Sequence, residues 1–352
     1  MGPFLRSALI AVLVAAGLAV PGTALADGHE RPFWKSRPTG STAEFRGLAA
    51  VDGQVAWVGG SDGVVLRTVD GGRSWKTVSP PHAGKLLFRD VEAFDARHAV
   101  VLAIGEGDAS RVFVTSDGGA RWSETFRNPD PKAFYDCMSF YDRRHGLAVS
   151  DPVNGRFRII ATSDGGRSWR VRPAAGMPAA LPGEAAFAAS GTCLVTAGHE
   201  AYLASGGGAV SRVYRSGDFG RTWRVSRTPV ASGPTAGIFS LAFRDPQHGL
   251  AIGGDFLDPT RAPHALAVTG DGARSWQAVK HRAPGDYRSG AAFTGVGNSA
   301  LAVGPTGSNY SGNGGRTWVP FDTGSFDAVS CAAKACWASG IDGRVAVLRG
   351  QP

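Results

Sequence analysis

The sequence alternates short apolar runs with turns rich in glycine, aspartate and serine. Between residues 88 and 124, four such runs follow one another: Phe88–Val91, Ala99–Ile104, Arg111–Val114 and Arg121–Glu124. Runs of about four to eight residues bounded by turn residues are typical of β-strands and too short for helices. This stretch therefore predicts a unit of four short antiparallel strands.

One phrase, Ser/Thr-x-Asp-x-Gly-x-x-Trp, joins the third strand of this unit to the fourth and occurs six times in the chain. The copies end at Trp75, Trp122, Trp169, Trp223, Trp276 and Trp318. The acidic position holds Asp70, Asp117, Asp164, Asp218, Asp271 and, in the sixth copy, Asn313. Successive tryptophans are 47, 47, 54, 53 and 42 residues apart, the differences between those positions. Four-stranded repeats of this length predict the blades of a β-propeller.

We expect the repeated phrase to shape a turn. A short acidic side chain can accept hydrogen bonds from backbone N–H groups, glycine supplies left-handed conformations, and the tryptophan is expected to be buried in the next strand. Burial of one indole would contribute roughly 4–6 kcal/mol at most. Asn313 should hold its turn more weakly, and Ala273, which replaces a glycine, should shift its turn. The arginine in each copy is expected to be solvated on the outer rim.

Strand-forming runs at the two ends complete a further unit. Residues 325–349 supply three strands without a fourth, whereas Pro32–Ser36 matches a fourth strand without its first three. Pairing them would close a seventh blade and leave no free sheet edge in the ring. The sequence therefore predicts an all-β fold, a single seven-bladed propeller of four-stranded antiparallel blades over residues 27–352.

The fourth and fifth units depart most from the pattern. We expect the first strand of blade four at Glu184–Phe187 and a loop rich in glycine and serine over Ala201–Ala209. Blade five has a long loop that contains Asp255 and Asp258. Two acids in one loop are more often solvated than bound to a cation.

Residues 1–26 have the pattern of a secretory signal. Arg6 is their only charge, an apolar run extends from Ala8 to Val20, and small residues precede Asp27. We therefore expect a secreted or periplasmic protein. Removal of Arg6 would change the net charge of the whole chain from +8 to +7.

Four cysteines in an exported chain permit two disulfides. Cys331 and Cys336 flank a predicted hairpin turn and are the favoured pair, which leaves Cys137 and Cys193 for the second. The eight histidines are scattered and show no metal-ligand spacing. We expect neither a metal nor another cofactor.

Propellers commonly bind ligands at one mouth of the central channel, where the starts of the innermost strands converge. Aligning the blades predicts a polar ring of both charge signs at these starts. Its members are Arg46, Arg89, Asp90, Tyr135, Asp136, Glu184, Ser240, Arg288, Ser289 and Asp327. The ring is either a mouth that binds a peptide or an anion, or a set of solvated residues and salt bridges around a wet channel.

The repeated phrase resembles the Asp-box, or BNR repeat, of sialidases, xyloglucanase-type glycoside hydrolases and the sortilin ectodomain. The fuller pattern, His145–Val149 followed by Ala161–Trp169, is similar to that of the Ycf48/Hcf136 type of photosystem II assembly factor and its bacterial relatives. The similarity covers nearly the whole predicted mature chain. It implies a non-catalytic propeller that holds a partner protein during assembly. The family's partner contact is a basic patch, for which no residue-by-residue match can be made here.

Binding and catalysis remain as alternatives. The positive charge favours a protein partner that is acidic or membrane-associated, and we expect a monomer that binds no nucleic acid. A sialidase-like enzyme would need three arginines, a tyrosine paired with a glutamate, and an aspartic acid. The residues of those types are Arg46, Arg89, Arg288, Tyr135, Glu184 and Asp136. The Arg-Ile-Pro phrase of sialidases is absent, and a xyloglucanase-like enzyme typically needs two propellers. A binding or assembly module is therefore favoured over a glycoside hydrolase.

Overall fold

The computed structural model describes residues 31–350, so the predicted signal segment, residues 1–26, lies outside the described range. Twenty-eight strands form seven antiparallel sheets of four strands each. The all-β, seven-bladed propeller predicted from the repeat is confirmed. Within the described range, helical structure is confined to three single 3-10 turns, Ser61–Gly63, Gly107–Ala109 and Ala174–Gly176. No helix there is long and apolar enough to cross a membrane.

In blades one to six, the four strands lie in chain order from the channel outward. Blade one contains β2 (Phe45–Ala50), β3 (Ala56–Gly60), β4 (Val65–Thr68) and β5 (Lys76–Thr77). Blade two contains β6 (Leu87–Ala93), β7 (Ala99–Ile104), β8 (Arg111–Thr115) and β9 (Ser123–Arg127). Blade three contains β10 (Tyr135–Phe140), β11 (Gly146–Val153), β12 (Arg156–Thr162) and β13 (Arg170–Val171). Blade four contains β14 (Leu194–Ala197), β15 (Glu200–Ala204), β16 (Arg212–Ser216) and β17 (Arg224–Arg227).

Blade seven differs from the others because it combines both ends of the described chain. Blade five contains β18 (Ala236–Phe243), β19 (Gly249–Asp255), β20 (Leu266–Thr269) and β21 (Gln277–Ala278). Blade six contains β22 (Gly290–Phe293), β23 (Ala300–Gly304), β24 (Gly307–Ser311) and β25 (Val319–Asp322). Blade seven contains β26 (Ala328–Ala332), β27 (Ala335–Ser339), β28 (Val345–Arg349) and, outermost, β1 (Phe33–Ser36). Strand β1 pairs antiparallel with β28, with Phe33 opposite Arg349.

The hydrophobic core consists of layers between neighbouring blades. Strand β7 is buried along its whole length because alternate side chains of a strand point to opposite faces of its sheet. Val100 and Leu102 pack against blade three, whereas Val101 and Ala103 pack against blade one. This arrangement explains why the middle strands are continuous apolar runs.

The six repeated phrases form one kind of turn. In the first copy, Gly72 N donates to Thr68 Oγ1 at 2.9 Å, and Ser74 N donates to Asp70 Oδ1 at 3.0 Å. The Ser74 hydroxyl donates to Asp70 Oδ2 at 2.6 Å, and the hydrogen bonds from Ser74 lower the pKa of Asp70. The bond between the first hydroxyl and the fifth residue's N–H recurs in the other five copies.

The two departures from the phrase are accommodated differently. The predicted shift at Ala273 is wrong, because Ala273 adopts a φ of +61° and its N–H still donates to Thr269 Oγ1 at 3.0 Å. Its methyl group is buried in the core layer between blades four and five, which offsets part of the cost of the left-handed backbone. Asn313 Nδ2 instead donates to Thr317 Oγ1 at 2.8 Å. In the first copy the Ser74 hydroxyl donates to the Asp70 carboxylate, so the bond at Asn313 has the opposite direction and joins two neutral groups.

The tryptophans of the phrase are less uniformly buried than expected. Trp223 and Trp318 are 6% and 4% exposed. The other four, Trp75, Trp122, Trp169 and Trp276, are only partly buried. All six tryptophans directly precede an outermost strand, and these four keep part of their surface exposed to solvent.

Blade four differs from its prediction in two places. Its innermost strand is Leu194–Ala197, whereas Glu184–Phe187 contributes only an isolated bridge between Ala185 and Gly206. The predicted loop is also shorter, because Glu200–Ala204 forms β15 between two partner strands. Strand pairing on both sides and burial of Tyr202 override the weak local signal.

Both disulfides are present. Cys137 of β10 is bonded to Cys193, which precedes β14, with their Cα atoms 5.9 Å apart. Cys331 and Cys336 face each other across the β26–β27 hairpin, with Cα atoms 4.1 Å apart.

Candidate functional sites

The two faces of the ring carry different turns. The first hairpin turn of a blade lies beside the turn of its repeated phrase, and in blade two Gly118 N donates to Arg97 O at 2.9 Å. We call this side the phrase face. The opposite side, where the innermost strands begin, is the mouth face, and the polar ring was predicted there.

A segment of the chain crosses the channel at the mouth face. We call residues 186–192 the plug. Ser190 Oγ donates to Ser289 O of blade six at 2.7 Å, and Thr192 Oγ1 donates to Ser240 Oγ of blade five at 2.7 Å. The plug therefore reaches from blade four to blades five and six, and it covers the mouth.

Arg46 and Arg89 hold the plug from blades one and two. Arg46 Nη1 donates to Ala189 O at 3.5 Å, and Arg89 Nη1 donates to Ala188 O at 3.2 Å. The two arginine side chains are 22% and 24% exposed. Both guanidinium groups therefore contact backbone oxygens of the same chain.

Two acids balance these arginines. Arg46 Nη2 lies 3.4 Å from Asp327 Oδ1, and Arg46 Nε donates to Glu44 Oε1 at 2.7 Å. Arg89 Nη2 lies 3.7 Å from Glu44 Oε2. Burial raises the pKa of Asp327, while burial and the neighbouring Arg46 lower the pKa of Arg89.

The alignment of strand starts missed Glu44, which lies one residue before β2. The cluster contains two cations and two acids.

Asp90 lies in the channel wall beneath the plug. Its Oδ2 accepts a hydrogen bond from Met138 N at 2.5 Å. A Cβ atom on Gly191 of the plug would lie 2.7 Å from Asp90 Oδ1, so a larger residue there would force the Asp90 carboxylate to move. Burial, followed by the charge of Glu92, raises the pKa of Asp90 well above its usual value.

Tyr135 and Asp136 of β10 are both buried, and Tyr135 lies in the core layer between blades two and three. The Tyr135 hydroxyl finds no hydrogen-bond partner among residues 31–350, and its ring packs against Phe126 with centroids 5.3 Å apart. Burial and the nearby Asp151 raise the pKa of Asp136. Neither side chain joins Arg46 and Arg89 at the mouth.

Glu184 belongs to a buried network. It forms an ion pair with Arg212, and it accepts hydrogen bonds from Ser205 Oγ at 2.6 Å and from Tyr214 Oη at 3.0 Å. The Glu184 side chain is 0% exposed. A tyrosine–glutamate pair is thus present, but it involves Tyr214 in place of Tyr135, and it is closed to solvent.

Arg288 is also separated from the mouth cluster. Arg288 Nε donates to Asn309 Oδ1 at 2.8 Å, and its Nη1 donates to Thr306 Oγ1 at 2.7 Å. Both partners lie in blade six. The six residues considered for a sialidase-like site therefore do not form one solvent-facing set.

Below the plug, the channel forms a cavity of about 360 Å³. Its polar lining includes Glu92, Ser139 and Thr196, and its roof includes Ser190 and Gly191 of the plug. Burial raises the pKa of Glu92 to about 8. No cluster of three or more His, Cys, Asp or Glu suited to a metal ion occurs in the described part of the chain.

A second concave surface lies on the phrase face, between blades two and three. We call it the rim groove, and it has a volume of about 710 Å³. Four arginines line it together with Phe94 and His98: Arg121, Arg143, Arg144 and Arg167. The side chains of Arg121 and Arg143 are 90% and 60% exposed.

Two of these arginines are fixed by acids of blade two, of which Asp117 lines the groove and Asp95 does not. Arg143 Nη1 donates to Asp95 Oδ2 at 2.8 Å, and Arg121 Nε donates to Asp117 Oδ2 at 2.9 Å. Arg144 contributes only a long contact to Ser163 O at 3.4 Å. The sequence signal that could have revealed the groove is the Arg143-Arg144 pair in the first hairpin turn of blade three. That turn lies beside the repeated phrase of its own blade and faces the preceding blade.

Comparison with known proteins identifies the fold. No family model and no curated protein matches this chain. A solved structure described as Ycf48 bound to D1 peptide aligns with a TM-score of 0.60 at 15% identity, over 89% of this chain and 94% of that chain. This chain shares the propeller fold of that structure.

Two further structures align equally well. Ycf48 from Cyanidioschyzon merolae has a TM-score of 0.60 at 16% identity, over 91% of this chain and 99% of that chain. The Pan2 WD40 domain of Neurospora crassa has a TM-score of 0.60 at 13% identity, over 88% and 90% of the two chains. Identities this low define the shared fold and leave the function of this chain to be argued from its own surfaces.

Proposed function

We propose that this protein is an exported, non-catalytic binding or assembly module that holds an acidic segment of a partner protein in the rim groove. The observation that carries the proposal is the convergence of four arginines from two blades on one open groove. Arginine side chains bind carboxylates through paired, charge-assisted hydrogen bonds. An extended segment with acidic side chains is the ligand that this groove fits best.

The groove is a better candidate than the mouth because its charges are accessible. At the mouth, Arg46 and Arg89 are already engaged by the plug and by Glu44. In the rim groove, Arg144 and Arg167 make only contacts with backbone oxygens, and they retain donors for a ligand. In this proposal the mouth cluster holds the plug, and partner binding is assigned to the groove.

One similar propeller supports a peptide ligand. The Ycf48 structure named above is described as bound to a D1 peptide. We extend to this chain only the general idea that a propeller of this shape holds a segment of another protein. Export rests on residues 1–26, whose pattern predicts a secretory signal.

Charge reversal in the groove tests the proposal. The variant Arg144→Glu with Arg167→Glu is compared with a control, Arg73→Glu with Arg224→Glu, which changes two exposed arginines outside the groove. Crosslinking in the native organism identifies the captured protein, and anisotropy with a synthetic peptide from the crosslinked segment measures affinity. We expect the groove variant to lose at least about tenfold in affinity and the control to keep it.

Equal affinity of the two variants would contradict the assignment of the groove. Turnover of a fluorogenic sialoside or a β-glucan by the purified mature protein would instead favour the alternative, a glycoside hydrolase. Melting temperatures of both variants must match that of the wild type, so that a loss of binding can be attributed to the charges.

A further inference from the structure

The β26–β27 hairpin contains a turn that its residues do not favour. Ala333 and Lys334 have φ values of +47° and +63°. Two-residue hairpin turns with positive φ at both positions strongly prefer Asn-Gly or Gly-Gly, because other residues are strained there. Neither residue of this turn is of the preferred type, so some other interaction must hold the hairpin in this register.

The adjacent disulfide is the interaction that holds it. Cys331 and Cys336 are paired directly across the two strands, one step from the turn, and are bonded to each other. The first hairpin turn of blade two is longer, between Ala93 and Ala99, and is stabilised without a disulfide, because Asp95 Oδ1 accepts hydrogen bonds from Arg97 N and His98 N at 2.7 and 2.9 Å.

The same use of an aspartate occurs in other blades. Asp52, Asp142 and Asp245 each accept two backbone N–H groups in the first hairpin turns of blades one, three and five. In blade seven, alanine and lysine follow β26, and the covalent bond takes the place of the aspartate. Loss of the disulfide would therefore release strain in this turn.

The two disulfides of the chain differ in accessibility. Cys331 is half-buried, and it lines the channel cavity on the side away from the plug. Its turn residues Ala333 and Lys334 are exposed. Cys137 and Cys193 are 0% exposed inside the core layer between blades three and four. Cys336 is only 3% exposed, so a reductant reaches the first disulfide through Cys331, whereas both cysteines of the second are shielded.

We propose that Cys331–Cys336 is a thiol–disulfide exchange site that a dithiol reductant reduces while the propeller stays folded. A thiolate of the dithiol attacks Cys331 Sγ, the S–S bond breaks, and Cys336 leaves as a thiolate that takes a proton. The second thiol of the reductant loses its proton and attacks the mixed disulfide, so that Cys331 leaves and is protonated. The reductant becomes a disulfide, and the cysteine pair gains two electrons and two protons.

Reduction would act on the contact between blades seven and one. Trp337 Nε1 donates to Asp52 O at 2.9 Å, and Ala50 N donates to Ser330 Oγ at 3.1 Å, both across this interface. Once the turn relaxes, its strand ends are less firmly held against the first hairpin of blade one. The exchange site would thus change the local dynamics of one interface without opening the ring.

The test uses the full mature chain and dithiothreitol as the probe. Protein is equilibrated at increasing concentrations of dithiothreitol, quenched, alkylated and analysed by peptide mass spectrometry. We expect Cys331 and Cys336 to be labelled at a concentration at least about tenfold below that needed for Cys137 and Cys193. Near-ultraviolet circular dichroism should stay native over that interval. Simultaneous labelling of both pairs, or earlier labelling of the buried pair, would overturn the proposal.

A second variant separates strain in the turn from simple exposure. Ala333→Asn with Lys334→Gly gives the turn its preferred residues and leaves both cysteines in place. We expect this variant to require a higher dithiothreitol concentration for half-reduction than the wild type. An unchanged midpoint would contradict the role of turn strain.

Discussion

Arg89 of blade two donates a hydrogen bond from its guanidinium group to Ala188 O, 3.2 Å away, although the two residues are 99 positions apart in the chain. This contact ties the plug to blade two, which is two blades away from its own blade four. It also gives Arg89 a structural partner at a position where the sequence left open either a binding mouth or a set of salt bridges. The mouth face is therefore a covered surface, and the stability of the plug becomes a measurable property.

Gly191→Ala should destabilise the protein through the plug. The new methyl group would lie 2.7 Å from Asp90 Oδ1, and Gly191 also has a φ of +77°. Crowding and backbone strain together should lower the free energy of unfolding by roughly 2–4 kcal/mol. Denaturation in urea, followed by tryptophan fluorescence, measures the change.

Gly155→Ala is the matched control for this substitution. Gly155 has a φ of +76°, but a Cβ atom there would meet no other atom within 4 Å. The free energy of unfolding of this variant should therefore fall only by the cost of backbone strain, on the order of 1 kcal/mol. Equal losses for the two variants would mean that the contact between Asp90 and the plug does not constrain the fold.

The sequence was most informative where its pattern is periodic. The alternation of Val100, Val101 and Leu102 between two blade interfaces follows from strand geometry, so the strands and the ring could be predicted. The plug could not be predicted, because residues 184–193 have no period and their partners are distant in sequence. Ser190, for example, is bonded to Ser289. Only the folded ring brings such residues together.

The residues of the candidate mouth site were likewise predictable only in part. Alignment of the strand starts correctly brought Arg46, Arg89 and Asp327 to one mouth. It could not indicate that Glu184 is held inside blade four by Arg212, because that pairing depends on side-chain burial. Composition and spacing give the types of residues near a mouth, whereas their partners are set by packing.

The sixth repeated phrase offers a site for stabilisation. Asn313→Asp should restore an ionised acceptor for Thr317 N, which now donates to Asn313 Oδ1 at 2.9 Å. The Thr317 hydroxyl could then donate to the carboxylate, as the Ser275 hydroxyl does to Asp271 Oδ2 at 2.6 Å. We expect a gain in the free energy of unfolding of about 0.5–1.5 kcal/mol.

The reciprocal variant provides the control for that gain. Asp271→Asn in the fifth phrase should lose a similar amount, because the amide replaces the carboxylate in the same turn. Both values come from thermal unfolding at pH 7 followed by circular dichroism. A loss in Asn313→Asp would show that the turn is adapted to the reversed hydrogen bond.

Glu184→Gln distinguishes a structural glutamate from a catalytic one. Glu184 is buried against Arg212, so neutralising it leaves an arginine without its counter-charge, and we expect a loss of about 3–5 kcal/mol in unfolding free energy. Glu44→Gln serves as the control because its side chain is 33% exposed. It should lose less than about 1 kcal/mol. If Glu184→Gln kept wild-type stability while abolishing a hydrolytic activity, the binding-module proposal would be wrong.

The raised pKa of Glu92 predicts how the stability of the folded protein changes with pH. Burial raises its pKa from 4.5 to about 8 in the folded protein, so the folded state binds more protons than the unfolded state between these values. Stability contributed by the protonated form is fully present below pH 4.5, and it is lost as the pH rises towards 8. Glu92→Gln should therefore flatten the dependence of stability on pH and make the variant more stable than wild type at pH 8.

Urea denaturation at a series of pH values measures this effect, and Glu106→Gln, which alters an exposed acid, is the control. Parallel curves for Glu92→Gln and wild type would show that Glu92 is ionised in the folded channel at no cost.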